Sequence, residues 1–300
     1  MSTAREPLDR LALGRALTRL AQVGADAAVP APPVGATPAR RIGVTGPPGA
    51  GKSTLTGHLA LHRLPGHRIG VLAVDPSSPR SGGAILGDRI RMDELEGSTE
   101  LYIRSLGSRT STDGLSDNLP EMLDLMDAHG FDEVLLETVG VGQAEYAVRM
   151  QVDTLLLVVL PESGDVVQAM KAGIMEMADI IVVNKADLPG AQRMAADIQR
   201  IVAMSRRDPD AWRPPVLLTA ASQPVTIAAL SSAIDQHQAW LARTGGQTQQ
   251  RVLRARYRLR RLVERRVAEV VAGLETDVLA RPMHEQVEHV AREIARPSDG

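Results

Sequence analysis

Seven short apolar runs, rich in β-branched residues and leucine, recur through the middle of this 300-residue chain. They are Ile42–Thr45, Ile69–Val74, Leu101–Arg104, Glu133–Glu137, Thr154–Leu160, Ile180–Val183 and Val216–Thr219. Their apolar character is nearly continuous rather than alternating, which marks strands covered on both faces. Between them lie segments with apolar residues at helical spacing, such as Thr54–Leu61. Strands and helices in alternation predict an α/β fold. The expected form is a doubly wound, mostly parallel sheet whose ligand loops leave the C-terminal ends of the strands. Leu8, Leu11, Leu13, Leu17, Leu20 and Val23 predict an N-terminal helix, and Pro30–Pro38 is too proline-rich to continue it. Beyond Ile234 the chain reads as helical and charged, with Gly245-Gly246 separating the helix of Trp240 from a long one over about Gln250–Leu274. Three regions are therefore expected: 1–38 as helix and linker, 39–235 as the main domain, and 236–300 as a helical arm.

Composition changes this picture little. Hydrophobic residues make up 44% of the chain and aromatic ones only 2%, so aliphatic packing must fill the core. A net charge of −2 gives no global reason to expect nucleic acid or membrane binding. The chain has no cysteine, which excludes disulfides and thiolate metal sites and fits a reducing compartment. The first residues lack the apolar core of a signal peptide, and Leu155–Leu160 is far too short to span a bilayer. A soluble, cytoplasmic protein is expected.

The chemistry begins at Gly46-Pro47-Pro48-Gly49-Ala50-Gly51-Lys52-Ser53, which fits Gly-x-x-x-x-Gly-Lys-[Ser/Thr] between a strand and a helix. In that setting, loop N–H groups and the positive end of the helix cradle phosphates. Lys52 would reach the terminal phosphates, the Ser53 hydroxyl would bind Mg²⁺, and Thr54 follows in the first helical turn. The second motif is Asn184-Lys185-Ala186-Asp187, directly after a predicted strand. A carboxylate there accepts two hydrogen bonds from guanine, and adenine would leave it unsatisfied. Asn184 would brace the loop, and the Lys185 stem would lie along the ring. Together these motifs predict GTP or GDP as the bound nucleotide.

Two acidic segments follow the same geometry. Glu137-Thr138-Val139-Gly140 ends a strand where G-domains carry an acid and a glycine, the acid serving Mg²⁺ and the glycine N–H sensing the γ-phosphate. Asp75 opens a loop after the second strand, and Asp88 lies just downstream. Both are oxygen ligands of the kind Mg²⁺ accepts. Gln143 lies near the place where some G-domains orient the attacking water. Lys52, Glu137 and Gln143 are thus the catalytic candidates. Arg80, Arg89, Arg104 and Arg109 are candidates for an arginine finger.

Taken together, Gly46–Thr54, Asp75-Pro-Ser-Ser with Ser81-Gly-Gly, Leu86–Met92, Glu137–Gln143, Lys171–Glu176 and Asn184–Asp187 resemble the MeaB/ArgK-type GTPases. These are the G-protein chaperones of methylmalonyl-CoA mutase. The resemblance implies a homodimeric, Mg²⁺-dependent GTPase that gates cofactor loading or protection of the adenosylcobalamin-dependent mutase. It also implies that Ser53, Asp75, Asp88 and Glu137 form the magnesium shell and that Thr219-Ala220-Ala221 supports the base. Ala220 stands where the family usually has serine, Val166 where it usually has an acid, and Thr110 where a glycine is expected. The alternatives are a P-loop ATPase or kinase linked to amino-acid transport, and a nucleotide-gated, metallochaperone-like scaffold for another client.

Two further features need weighing. Arg251 to Arg266 holds eight arginines and one glutamate, but an apolar stripe through Val252, Leu259 and Val263 favours a solvated or partner-facing helix over a nucleic-acid reader, and the resemblance implies a dimer arm. His284 and His289 are five apart, a spacing that does not put them on one helical face as a zinc helix requires.

Overall fold

The computed structural model describes residues 6–21, 37–76, 99–108, 118–138, 143–161, 174–204 and 211–296. All seven predicted strands are present: β1 (Arg40–Thr45), β2 (Ile69–Pro76), β3 (Leu101–Ser108), β4 (Glu133–Thr138), β5 (Thr154–Val159), β6 (Ile180–Val183) and β7 (Val216–Leu218). They form one sheet in the order β3-β2-β4-β1-β5-β6-β7, and every pairing is parallel. Every residue of β4, β5 and β6 is buried, as continuous apolar runs require.

Both faces of the sheet are covered. One carries α1 (Arg10–Leu20), α3 (Leu119–Ala128) and α4 (Gln143–Arg149), with Leu13, Leu17, Met122, Met126 and Val148 packed into one cluster with Leu136 and Leu155. The opposite face carries α2 (Lys52–Arg63) and, later in the chain, the 21-residue helix Pro224–Thr244. There Leu55, Leu59, Ile227, Leu230 and Ile234 meet Ile42, Val44 and Leu156. Helices α5 (Ile174–Met177) and α6 (Ala191–Met204) close the core around β6 and β7, after which Pro224–Thr244 is α7. The N-terminal helix is thus part of the main core, and α7 runs unbroken past residue 235.

Gly245, at φ 73°, ends α7 and starts α8 (Gly246–Ala272), so one left-handed residue makes the break. After α8 come α9 (Thr276–Leu279) and α10 (Met283–Ala295), which packs back on α8. The arginine-rich α8 is fastened to the domain's own acids. Arg254 Nη1 donates to Asp153 Oδ1 at 2.5 Å, Arg258 pairs with Asp124, and Arg265 lies 3.9 Å from Glu121. His284 and His289 both fall on α10.

Candidate nucleotide site

The strand register brings the predicted motifs to one edge. Val44 of β1 lies beside Glu137 of β4, and Glu137 lies beside Ala73 of β2, two residues before Asp75. Because the strands are parallel, the loops leaving β1, β2 and β4 all emerge on the same side. Beside β1, β5 and β6 continue the sheet and deliver Asn184 to that edge.

The phosphate loop requires its glycines. Gly46 has φ 143°, and a Cβ there would lie 2.0 Å from the Val158 carbonyl oxygen. At Gly51, φ is 77°, and a Cβ would lie 2.6 Å from Asn184 Nδ2. Ala50 N donates to Pro47 O, closing the turn, and Gly51 caps α2. Lys52 is only 5% exposed, and its Nζ donates to Pro47 O at 2.8 Å, folding the ammonium over the loop. Ser53 Oγ donates to Glu137 Oε1 at 2.6 Å, although the two residues are 84 apart in sequence. A hydroxyl and a buried carboxylate side by side are the oxygen donors a hard divalent cation takes, so these residues fit Mg²⁺. Below them Thr138 Oγ1 donates to Thr45 Oγ1 at 3.3 Å, a tie between the ends of β4 and β1.

Asn184 joins this phosphate end to the second motif. Its Nδ2 donates to Ala50 O at 2.8 Å, and its Oδ1 accepts from Thr219 Oγ1 at 2.9 Å. Asn184 N donates to Val159 O, and Ala186 N donates to Thr219 O. Lys185, at φ 55°, then turns the chain so that Asp187 reaches solvent. One amide therefore holds three loops together. Ala220 is fully buried, and its N–H donates to Thr226 Oγ1 at 3.2 Å, an interaction with α7.

Of the remaining candidates, Asp88 and Gly140 lie outside the described residues, as do Arg80, Arg89, Arg109, Thr110 and Val166. Asp75 and Gln143 are placed by their backbone, at the end of β2 and the start of α4. Arg104 is a correction. Its guanidinium donates to Gly14 O at 3.0 Å and Thr18 Oγ1 at 3.0 Å, so it is committed to α1. The Ala50 carbonyl as Asn184's acceptor and the Thr45–Thr138 pair were not legible in sequence. Main-chain acceptors carry no residue signature, and the two threonines are 93 positions apart.

A buried polar group lies at the other end of the sheet. His237 is 1% exposed, with Nδ1 2.9 Å from Thr154 Oγ1 and Nε2 3.4 Å from Asp179 Oδ1. Thr154 Oγ1 also accepts from Gln238 Nε2, which leaves its proton for His237 Nδ1. Asp179 is held by Arg149 at 2.7 Å. Burial and the Arg149 charge push the imidazole pKa down to about 4, so His237 is neutral.

The family model described as methylmalonyl Co-A mutase-associated GTPase MeaB matches residues 30–276. The chain belongs to the MeaB family. A putative GTPase of Pyrococcus abyssi is 40% identical over 236 residues, covering 78% of this chain and 70% of its own. The mouse protein named methylmalonic aciduria type A homolog, mitochondrial, is 43% identical over 183 residues, or 59% of this chain and 44% of its own. Among solved structures, one titled LAO/AO transport system kinase superposes with a TM-score of 0.66 at 25% identity, covering 96% of this chain and 94% of its own. Membership places this chain among P-loop GTPases that bind guanine nucleotides. No helix among the described residues is long and apolar enough to cross a membrane.

Proposed function

We propose that this protein is a slow, Mg²⁺-dependent GTPase that switches a partner enzyme. The observation that carries this reading is Asn184, bonded at once to the phosphate loop at Ala50 and to Thr219. That clamp sets the Asn184–Asp187 loop at a fixed position relative to Lys52 and Ser53, as a nucleotide spanning base and phosphates requires. Asp187 would accept from the guanine edge, Lys52 and loop N–H groups would stabilise charge developing on the γ-phosphoryl group, and water would be the nucleophile. Mg²⁺, held through Ser53 and Glu137 with Asp75 and Asp88, would supply charge neutralisation on the phosphate oxygens. Gly140 would sense the γ-phosphate, and Gln143 would orient the water.

The family description names methylmalonyl Co-A mutase, which supports that adenosylcobalamin-dependent enzyme as the proposed client, and a homodimer is the proposed working form. Hydrolysis would then gate cofactor loading or protection rather than serve a separate substrate.

Asp187→Asn tests the base assignment. It should move preference from GTP toward XTP by at least about tenfold, because the amide replaces an acceptor by a donor. Unchanged preference, or tighter binding of ATP than GTP by the wild-type protein, would overturn the reading. For the client, co-purification with the mutase should differ between GDP and a non-hydrolysable GTP analogue.

A further inference from the structure

The loop that leaves β7 is fixed from two sides. On one side it meets the Asn184–Asp187 loop: Ala186 N donates to Thr219 O at 2.9 Å, and Thr219 Oγ1 donates to Asn184 Oδ1 at 2.9 Å. On the other side it runs into α7, whose N-cap residue, Gln223, makes no side-chain bond to the helix. Thr226, half-buried in the first helical turn, supplies that hold. Its Oγ1 donates to Gln223 O at 2.7 Å and accepts from Ala220 N at 3.2 Å. Gln223 N donates to Ala220 O at 3.0 Å, so both main-chain polar groups of the fully buried Ala220 are engaged. Thr226 is itself anchored, because its neighbour Ile227 and then Leu230 pack into the core between α7 and the sheet.

Within the guanine reading this loop has a specific task. Asp187 accepts from N1–H and the 2-amine of the base, which leaves the adjacent O6 in need of a donor. No side chain of the loop offers one. The Thr219 hydroxyl gives its proton to Asn184, and residues 220 and 221 are alanines. The main chain has a donor to spare, because Ala221 is exposed and its N–H has no acceptor among the described residues. A main-chain donor cannot be re-aimed by a change of rotamer, so its direction depends on what holds the backbone. Thr219 holds it from the strand side and Thr226 from the helix side.

We propose that Thr226 is a positioning residue for guanine selectivity, whose hydroxyl fixes Ala220 so that the Ala221 N–H stays in register with the base held by Asp187. Thr226 acts through Ala220 and does not touch the nucleotide. Without the hydroxyl, the buried Ala220 N–H loses its acceptor and the loop shifts to find another. The inference rests on the guanine reading above and adds to it the residue that holds the second base loop.

The test compares Thr226→Val, which keeps the side-chain shape and removes the hydroxyl, with Thr226→Ser, which keeps the hydroxyl. Calorimetric titration of the full chain would use GDP, IDP and the diphosphate of 2-aminopurine riboside. IDP keeps O6 and lacks the 2-amine, whereas the 2-aminopurine nucleotide keeps the amine and lacks O6. Thr226→Val should bind GDP and IDP about tenfold more weakly and leave the 2-aminopurine nucleotide near its wild-type affinity. The preference for GDP over IDP, which reads Asp187, should stay as it is, and Thr226→Ser should restore wild-type binding. Amide exchange in the nucleotide-free wild-type protein needs no variant: the Ala220 N–H should be protected, and the Ala221 N–H should become protected only when GDP is added. An equal loss for all three nucleotides, as a merely structural role gives, would overturn the proposal. So would unchanged GDP affinity in Thr226→Val, a serine variant as weak as the valine one, or fast exchange at Ala220. A wild-type protein that does not prefer GDP to ADP would remove the guanine reading and this inference with it, a result visible before any variant is made.

Discussion

Gly51 shows how closely single residues are specified at the site. Its φ of 77° and the 2.6 Å from a Cβ to Asn184 Nδ2 set two penalties on any side chain. Gly51→Ala should therefore cost about 1–2 kcal/mol of stability from the left-handed backbone alone. It should also lower guanine-nucleotide affinity by about tenfold, because Asn184 must give up Ala50; titration with a fluorescent GDP analogue reads this. The glycine was legible from the motif, but its reason was not, because its neighbour Asn184 is 133 residues away in sequence. His237 makes a second prediction at this scale. Its folded pKa, about 4, lies below the ordinary 6.5, so the unfolded chain binds the proton more tightly. Stability from this group is full above pH 6.5 and declines as pH falls toward 4, by roughly 3 kcal/mol at pH 4. Urea midpoints followed by tryptophan emission should show this slope, and His237→Gln should flatten it. The two tryptophans, Trp212 and Trp240, flank this imidazole at 4.9 and 5.9 Å, so the readout sits at the group.

Among the elements, α2 is held at both ends. Its first residue, Lys52, belongs to the phosphate loop, and its last, Arg63, is buried against β4 and α7. Arg63 donates to both oxygens of Glu133 at 2.6 Å, to Ser231 Oγ at 2.6 Å and to Asp235 at 2.8 Å. Despite the cost of burial, these partners raise the Arg63 pKa, so the charge is permanent. Glu133→Ala leaves that charge without its main partner and should destabilise the fold by about 3–5 kcal/mol in urea unfolding. Strands were read well because the apolar runs of β1, β2, β4, β5 and β6 coincide with buried segments, while β7 is only half-buried; the strand ends were read less well. β2 and β3 extend through Pro76 and Ser108, past their apolar runs, because they pair with each other over eight positions. β7 stops at Leu218, and Thr219 after it still donates its N–H to Val183 O while its hydroxyl holds Asn184. α8 starts at Gly246 rather than Gln250, since one left-handed glycine suffices for the turn.

Across the whole molecule, α8 acts as a charged strap. Asp153 accepts from Arg41 N at 2.8 Å and from Arg254, tying the start of β1 to the strap, and Gln250 Nε2 donates to Asp153 O at 3.1 Å. Arg265 pairs with Asn118, which in turn donates to Leu20 O, so α8, α3 and α1 meet at one side chain. Arg254→Ala/Arg258→Ala should loosen the strap by about 1–3 kcal/mol while sparing the nucleotide site. Faster amide exchange confined to α8 and α10, with GDP affinity unchanged, is the expected outcome. From sequence this arginine run read as a solvated or partner-facing helix, and three of its members pair with the domain's own surface. Sequence alone determined the doubly wound architecture, the phosphate loop and the Asn184–Asp187 motif, because local periodicity and fixed short spacings encode them. Only the tertiary structure decided that Asn184 clamps Ala50 to Thr219, that Arg104 serves α1, and that Arg63 is held by Glu133, Ser231 and Asp235. Each of these joins residues far apart in the chain, and such contacts exist only once the sheet order has brought them together.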